Sequence, residues 1–233
     1  MNYKHIFFDL DDTLWDFRRN SKETLLELFE HYNLAEAGKE VIDQQEFLTR
    51  YYAINQELWK QYRENNIDHQ TLRMVRFERI FTQFEIDMPH QLVKQFSDDY
   101  LDMAPTKSHL CDHAQELLDY LKGKYELHII TNGFSDIQLV KITSAKLGDY
   151  FNVVVTSGCT GYKKPSTQIF EYALRQAGAK TQESIMIGDS LEADIAGAKN
   201  SALDHVFYNP LQKAHKEEVY KEITSLKELI EMF

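Results

Sequence analysis

HIFFDLDDTL, residues 5–14, sets three aspartates behind a short apolar run. Ile6, Phe7 and Phe8 read as a buried strand, and a buried strand is a costly place to end in charge. An isolated carboxylate inside a core is too expensive to keep ionised unless something pairs it. The segment is therefore either an acidic turn or one wall of a cation site, and the rest of the chain decides between them.

Four more runs share the apolar, often β-branched character: ELHIIT at 126–131, FNVVV at 151–155, SIMIG at 184–188 and HVFY at 205–208. Amphipathic helices are expected between the later runs, over 112–122, 135–147, 166–177 and 190–199. Serine or aspartate opens them, and Gly123, Gly148 and Gly178 close three, as unpaired backbone groups at helix ends require. Strand alternating with helix means an α/β, Rossmann-like core with a mainly parallel sheet of about five strands.

The first crossover breaks the alternation. A crossover needs about a dozen residues, yet strand one ends near Leu10 and strand two begins near Glu126. The intervening sequence is helical: Asn20 with Glu23 and Asp43 with Glu46 resemble capping boxes, and Phe47, Tyr51, Ile54, Leu58 and Tyr62 recur at helical spacing. Pro89 suits a first helical position, and Pro105 suits a return to the sheet. The expected division is an α/β core of residues 1–14 and 106–233, with an inserted α-helical cap domain at 15–105.

Composition narrows the partners. The 233 residues are 43% hydrophobic and 12% aromatic, enough for a packed core. Acidic residues number 37 against 26 basic, and the net charge of -11 disfavours a nucleic acid polymer or an anionic membrane as partner. No apolar run is long enough to span a bilayer. The two cysteines, Cys111 and Cys159, read as reduced thiols and point to a cytoplasmic setting. A small molecule is the expected partner; oligomeric state is not legible.

In an open α/β sheet, ligands bind beyond the carboxyl ends of the strands. Strand one ends in Asp9, with Asp11 two residues on and pointing the same way in extended chain. Strand two ends in Thr131, Asn132 and Gly133, a hydroxyl, an amide and a permissive backbone ahead of the helix at Ser135. Such groups suit an anion. Lys163 and Lys164 precede Pro165 after strand three. Strand four ends in Gly188 and Asp189, with Asp194 five positions on. Four carboxylates meeting at one edge cannot all ionise without compensation. An all-oxygen donor set suits Mg2+, and Thr131, Asn132 and Lys164 would serve a phosphoryl group.

The ordered set DLDDT, TNG, KP and GDSLEAD, with a helical insertion directly after the first, resembles the phosphatases of the haloacid dehalogenase superfamily that carry an α-helical cap. TNGF and the spacing through GDSLEADIAGA look most like the pyrimidine 5'-nucleotidase-like branch, and are also similar to N-acylneuraminate-9-phosphatases. The resemblance implies a magnesium-dependent phosphatase that hydrolyses small phosphate monoesters, nucleoside 5'-monophosphates foremost, through an aspartyl phosphate. Phosphatases of sugar or acylneuraminate phosphates and a sugar phosphomutase are the alternatives. Asp9 would be the nucleophile and Asp11 the acid/base. Asp9, the Asp11 carbonyl and Asp189 would hold Mg2+, with Asp194 behind them. Thr131, Asn132, Gly133 and Lys164 would bind phosphate, Thr131 and Lys164 counting among the catalytic groups.

Other conspicuous residues read as structure. Cys111 and His113 lack a second pair at metal spacing. His128 lies within strand two as a core histidine, and Trp15 reads as packing beside the catalytic turn.

Overall fold

The computed structural model describes residues 3–233. The chain divides into two compact units, Met1–Phe17 with Ser108–Phe233, and Arg18–Lys107. The edges differ slightly from the expected insertion at 15–105. Trp15 is fully buried, pairs with Asp11 and Leu110, and so belongs with the first unit.

The first unit is built on a six-stranded sheet, β1 (His5–Phe8), β2 (Glu126–Thr131), β3 (Phe151–Thr156), β4 (Ser184–Gly188), β5 (Asp204–Tyr208) and β6 (Lys221–Ile223), in the order β3-β2-β1-β4-β5-β6. Every pairing is parallel. The sixth strand, KEI, was not expected, because its short polar sequence carries no period-two apolar signal. The chain runs from β1 through β2 to β3 on one side, then crosses back to β4 on the other. The topological switch therefore falls between β1 and β4, where ligands of such sheets bind.

Alternation along the strands divides the core between two faces. Ile6, Phe8, Ile129, Ile185 and Ile187 point to one layer, packing with Leu117, Leu118 and Leu121. Phe7, Ile130, Val155 and Met186 point to the other, against Ile169, Phe170 and Ala173. A parallel sheet covered on both faces needs such runs, since neither side meets water.

The helices of the second unit are α1 (Phe17–His31), which begins in the first unit, α2 (Gln44–Arg63), α3 (His69–Gln83) and α4 (His90–Met103). Asp43 caps α2 by accepting the Glu46 N–H at 2.9 Å, as its spacing suggests. The pair Asn20 and Glu23 is not a cap, because α1 starts at Phe17 and places Asn20 inside the helix, buried. Pro89 stands just before α4 as its cap residue. Aromatic rings fill the interior, with Phe77 and Phe96 centroids 5.0 Å apart and Phe29 and Phe47 5.3 Å apart.

The first unit continues with α5 (Ala114–Leu121), α6 (Ser135–Ser144), α7 (Ser157–Thr160), α8 (Thr167–Ala177), α9 (Ala196–Asn200) and α10 (Glu228–Met232). Gly148 does not close α6; the helix stops earlier and Lys146 takes the left-handed turn at φ 57°. The helix expected over 190–199 is divided. A π-helical turn, Leu191–Ile195, precedes α9, and such wide turns recur at functional sites.

His128 is a core histidine whose Nε2 lies 3.1 Å from His5 Nδ1, while its own buried Nδ1 has no partner. Burial first, and His5 second, pull its pKa down from 6.5 to about 4. Between those values the unfolded chain binds more protons than the folded one. Stability is therefore full above about pH 6.5 and falls as the pH drops towards about 4. Urea unfolding across that window is expected to show a midpoint that declines less steeply in His128→Phe than in the wild type; parallel declines contradict this assignment.

Candidate active site

Parallel register brings the expected carboxylates together. Phe8 pairs with Ile187 in β4, and the Asp9 N–H closes the last rung by donating to the Ile187 carbonyl at 2.9 Å. Asp9 thus leaves β1 level with the end of β4, and Asp189 follows β4 directly. Asp194 arrives from the π-helical turn, whose first residue-pair is fixed by Ser190: its hydroxyl accepts the Ala193 N–H, and its own N–H donates to Asp194 Oδ2 at 3.0 Å. Gly188 leaves room for that carboxylate, since a Cβ there would lie 2.3 Å from Asp194 Oδ2. Asp9, Asp189 and Asp194 each offer an oxygen, and these oxygens lie within 4.8 Å of one another.

Lys164 sits in this cluster with only 1% of its surface exposed. Its Nζ is 2.6 Å from Asp9 Oδ1, 2.7 Å from the Ile130 carbonyl and 2.6 Å from Asp194 Oδ1; the last is a close ion pair rather than an aligned hydrogen bond. Burial works to lower its pKa, but Asp194 and Asp9 outweigh it and raise the ammonium to about 12. The Lys164 backbone is held by Asn132, whose Oδ1 accepts the Lys164 N–H at 2.7 Å and whose Nδ2 donates to the Lys164 carbonyl at 3.0 Å. That spends the Asn132 side chain on placing the lysine, so only its main chain remains to meet an anion.

One ammonium does not balance three carboxylates. Burial, with Asp194 contributing, pushes Asp9 up to about 7 against the pull of Lys164. Burial and then Asp194 and Asp9 hold Asp189 well above the usual carboxylate range. Asp189 receives one side-chain hydrogen bond, from Thr13 Oγ1 at 3.3 Å. An under-donated carboxylate beside two others is a fitting oxygen ligand set for a hard divalent cation.

Thr131 is buried at the end of β2, and its Oγ1 accepts from the Gly133 N–H at 3.1 Å and from Gln138 Nε2 at 3.3 Å. With its oxygen so engaged, the hydroxyl proton is what it can give a phosphate. Asp11 turns its carboxylate to a different set of partners. Oδ1 accepts from Lys141 Nζ at 2.6 Å and Oδ2 from Gln138 Nε2 at 2.8 Å. Gln138 and Lys141 went unnoticed in the sequence because each looks like an ordinary solvated helix residue. Their signal lies in spacing: three apart on the helix behind TNG, they share a face that is buried.

The haloacid dehalogenase-like hydrolase model matches residues 3–201, a span that contains all of these groups. The chain belongs to that family. Among curated relatives, pyrimidine 5'-nucleotidase PynA of Streptococcus pneumoniae is 35% identical over 90% of this chain and 85% of its own. Pyrimidine 5'-nucleotidase YjjG of Escherichia coli is 32% identical over 98% and 97%. The crystal structure of the HAD-hydrolase YfnB of Bacillus subtilis, bound to magnesium, superposes with a TM-score of 0.89 at 27% identity, covering 100% of this chain and 99% of that one.

Removing the buried cation leaves Asp9 and Asp194 facing each other. Lys164→Met is expected to cost about 3–5 kcal/mol, the usual penalty for stranding one side of a buried ion pair. Urea unfolding at neutral pH reads this directly, and a variant as stable as wild type contradicts the pairing described.

Proposed function

We propose that this hydrolase removes phosphate from small phosphate monoesters, nucleoside 5'-monophosphates foremost, through an aspartyl phosphate on Asp9. The observation that carries the reading is the setting of Asp9: at the switch point of the sheet, buried, bound to Lys164 and within ligand range of Asp189 and Asp194. A carboxylate is a competent covalent nucleophile for phosphorus when the repulsion between two anions is offset. Similarity to PynA and YjjG along nearly the full chain supports the nucleotide as substrate.

The residues divide the work. Asp9 attacks phosphorus and the bond to the ester oxygen breaks. Asp11 gives its proton to that oxygen, then accepts one from the water that cleaves the aspartyl phosphate. Lys164 offsets charge on Asp9 and on the phosphoryl oxygens, while Thr131 Oγ1 and the backbone at Asn132 and Gly133 donate to those oxygens. Asp9, Asp189 and the Asp11 carbonyl would hold Mg2+, with Asp194 supporting from behind, and the bound ion supplies positive charge against the transferring group. The helical unit, 18–107, serves as a cap that chooses among esters, since the core chemistry is common to many. No helix among the described residues is long and apolar enough to cross a membrane. Both cysteines are free thiols, which fits a cytoplasmic enzyme.

Hydrolysis of p-nitrophenyl phosphate is expected, with loss of activity in EDTA and recovery with Mg2+. Asp9→Asn lowers kcat on the order of 10³-fold or more, as removal of a covalent nucleophile does. In a screen of nucleotides and sugar phosphates, the highest kcat/KM is expected for pyrimidine 5'-monophosphates. Wild-type rates in Asp9→Asn overturn the nucleophile, and conversion of a sugar phosphate to its isomer without phosphate release selects a mutase instead.

A further inference from the structure

Lys164 pairs with Asp9 and Asp194, whereas Asp11 turns to other partners and lies beyond the end of the β1 ladder. Its backbone sits in a turn closed by the Asp12 N–H on the Trp15 carbonyl at 2.8 Å, with Asp12 in the left-handed region at φ 58°. What fixes its carboxylate is a pair of donors from α6. Lys141 Nζ is 2.6 Å from Oδ1 and Gln138 Nε2 is 2.8 Å from Oδ2.

Both donors are themselves immobilised. Lys141 is 6% exposed, and its ammonium lies 4.3 Å from the centre of the buried Trp15 ring and 5.8 Å from that of Phe17. Cation–π contact of this kind strengthens as water is removed. Gln138 is 1% exposed, and its amide fills the space a side chain at residue 133 would take: a Cβ on Gly133 would lie 1.5 Å from Gln138 Nε2. Gly133 is thus absent of side chain because Gln138 passes over it. The same Nε2 reaches Thr131 Oγ1 at 3.3 Å, so one amide links the phosphate-side hydroxyl to the acid/base carboxylate.

We propose that Gln138 and Lys141 are positioning residues for proton transfer, aiming the Asp11 carboxyl at the ester oxygen and receiving the carboxylate left behind. The inference rests on the phosphatase reading above. As the P–O bond to the alcohol breaks, the proton of Asp11 moves to the departing oxygen, and negative charge returns to a carboxylate whose two oxygens already face an ammonium and an amide N–H. In the second half-reaction the same carboxylate takes a proton from the attacking water. Misplaced by an ångström, it loses much of that rate.

A pure packing role and this one separate by leaving group. A p-nitrophenolate departs without protonation, whereas an alkoxide such as the 5'-oxygen of a nucleotide does not. In Lys141→Met and Gln138→Leu, kcat/KM for a nucleoside monophosphate or glycerol phosphate, which reports the transfer to Asp9, is expected to fall by about 10- to 100-fold, within the range that general acid catalysis contributes. In Lys141→Met, kcat/KM for p-nitrophenyl phosphate should fall less than about threefold, because transfer from that ester to Asp9 needs no general acid, while Lys141→Arg retains most alkyl-ester activity. Combined with Asp11→Asn, Lys141→Met should add almost nothing on alkyl esters, because residues acting through one another are not additive. Equal losses of kcat/KM on both esters, or additive losses in the double variant, overturn the positioning role while leaving the phosphatase reading standing. A wild type that releases no phosphate from either ester overturns that reading and the inference together.

Discussion

Lys164 is the group on which the rest of the site depends. A lysine with 1% exposure survives in a core only because Asp9, Asp194 and the Ile130 carbonyl surround its ammonium. The dependence is mutual, since two buried carboxylates a few ångströms apart repel unless a cation lies between them. That one contact ties together β1, β2, the loop after β3 and the turn after β4. It also explains the glycine at the end of β4: Gly188 has no Cβ because the Asp194 carboxylate must pass there to reach the lysine.

The charge count then directs what binds. Three carboxylates and one ammonium leave an excess of negative charge, which adds to burial in pushing Asp9 and Asp189 up. In the proposed reaction a divalent cation brings that sum to zero, so the edge no longer repels a phosphoryl dianion.

Much of this was legible in the sequence because it is written at strand ends, where apolar runs stop abruptly in aspartate. Asp9 and Asp189 each directly follow an apolar run, Lys164 stands just ahead of the Pro165 turn, and the parallel register does the rest. Harder to read were features that depend on a neighbour's shape. The polar strand KEI pairs because Tyr208 and Val206 present an open edge, not because of its own composition. Asn132 looked like a phosphate ligand, yet its amide is matched to the Lys164 backbone, a partner 32 residues away. Gln138 and Lys141 are good helix formers that would be at home in solvent; only the fold reveals that their face of α6 lies over Trp15 and Gly133.

Asp9 and Asp11, two residues apart, are fixed by different means, and the difference follows from where the sheet ends. The Asp9 backbone still belongs to the ladder, held by the Ile187 carbonyl, so its carboxylate inherits the rigidity of a central strand. One turn later the ladder has run out, and no strand can hold Asp11. Its position has to come from side chains, and a helix that starts immediately behind the neighbouring strand is the nearest rigid element able to supply them. In the proposed reaction, a nucleophile that must not move and an acid that must hand a proton across two steps call for these two kinds of support: main-chain hydrogen bonds for the first, and exchangeable side-chain donors for the second. The sheet edge provides both within three residues of sequence because β1 is central, flanked by β2 and β4, and its neighbour β2 leads directly into α6.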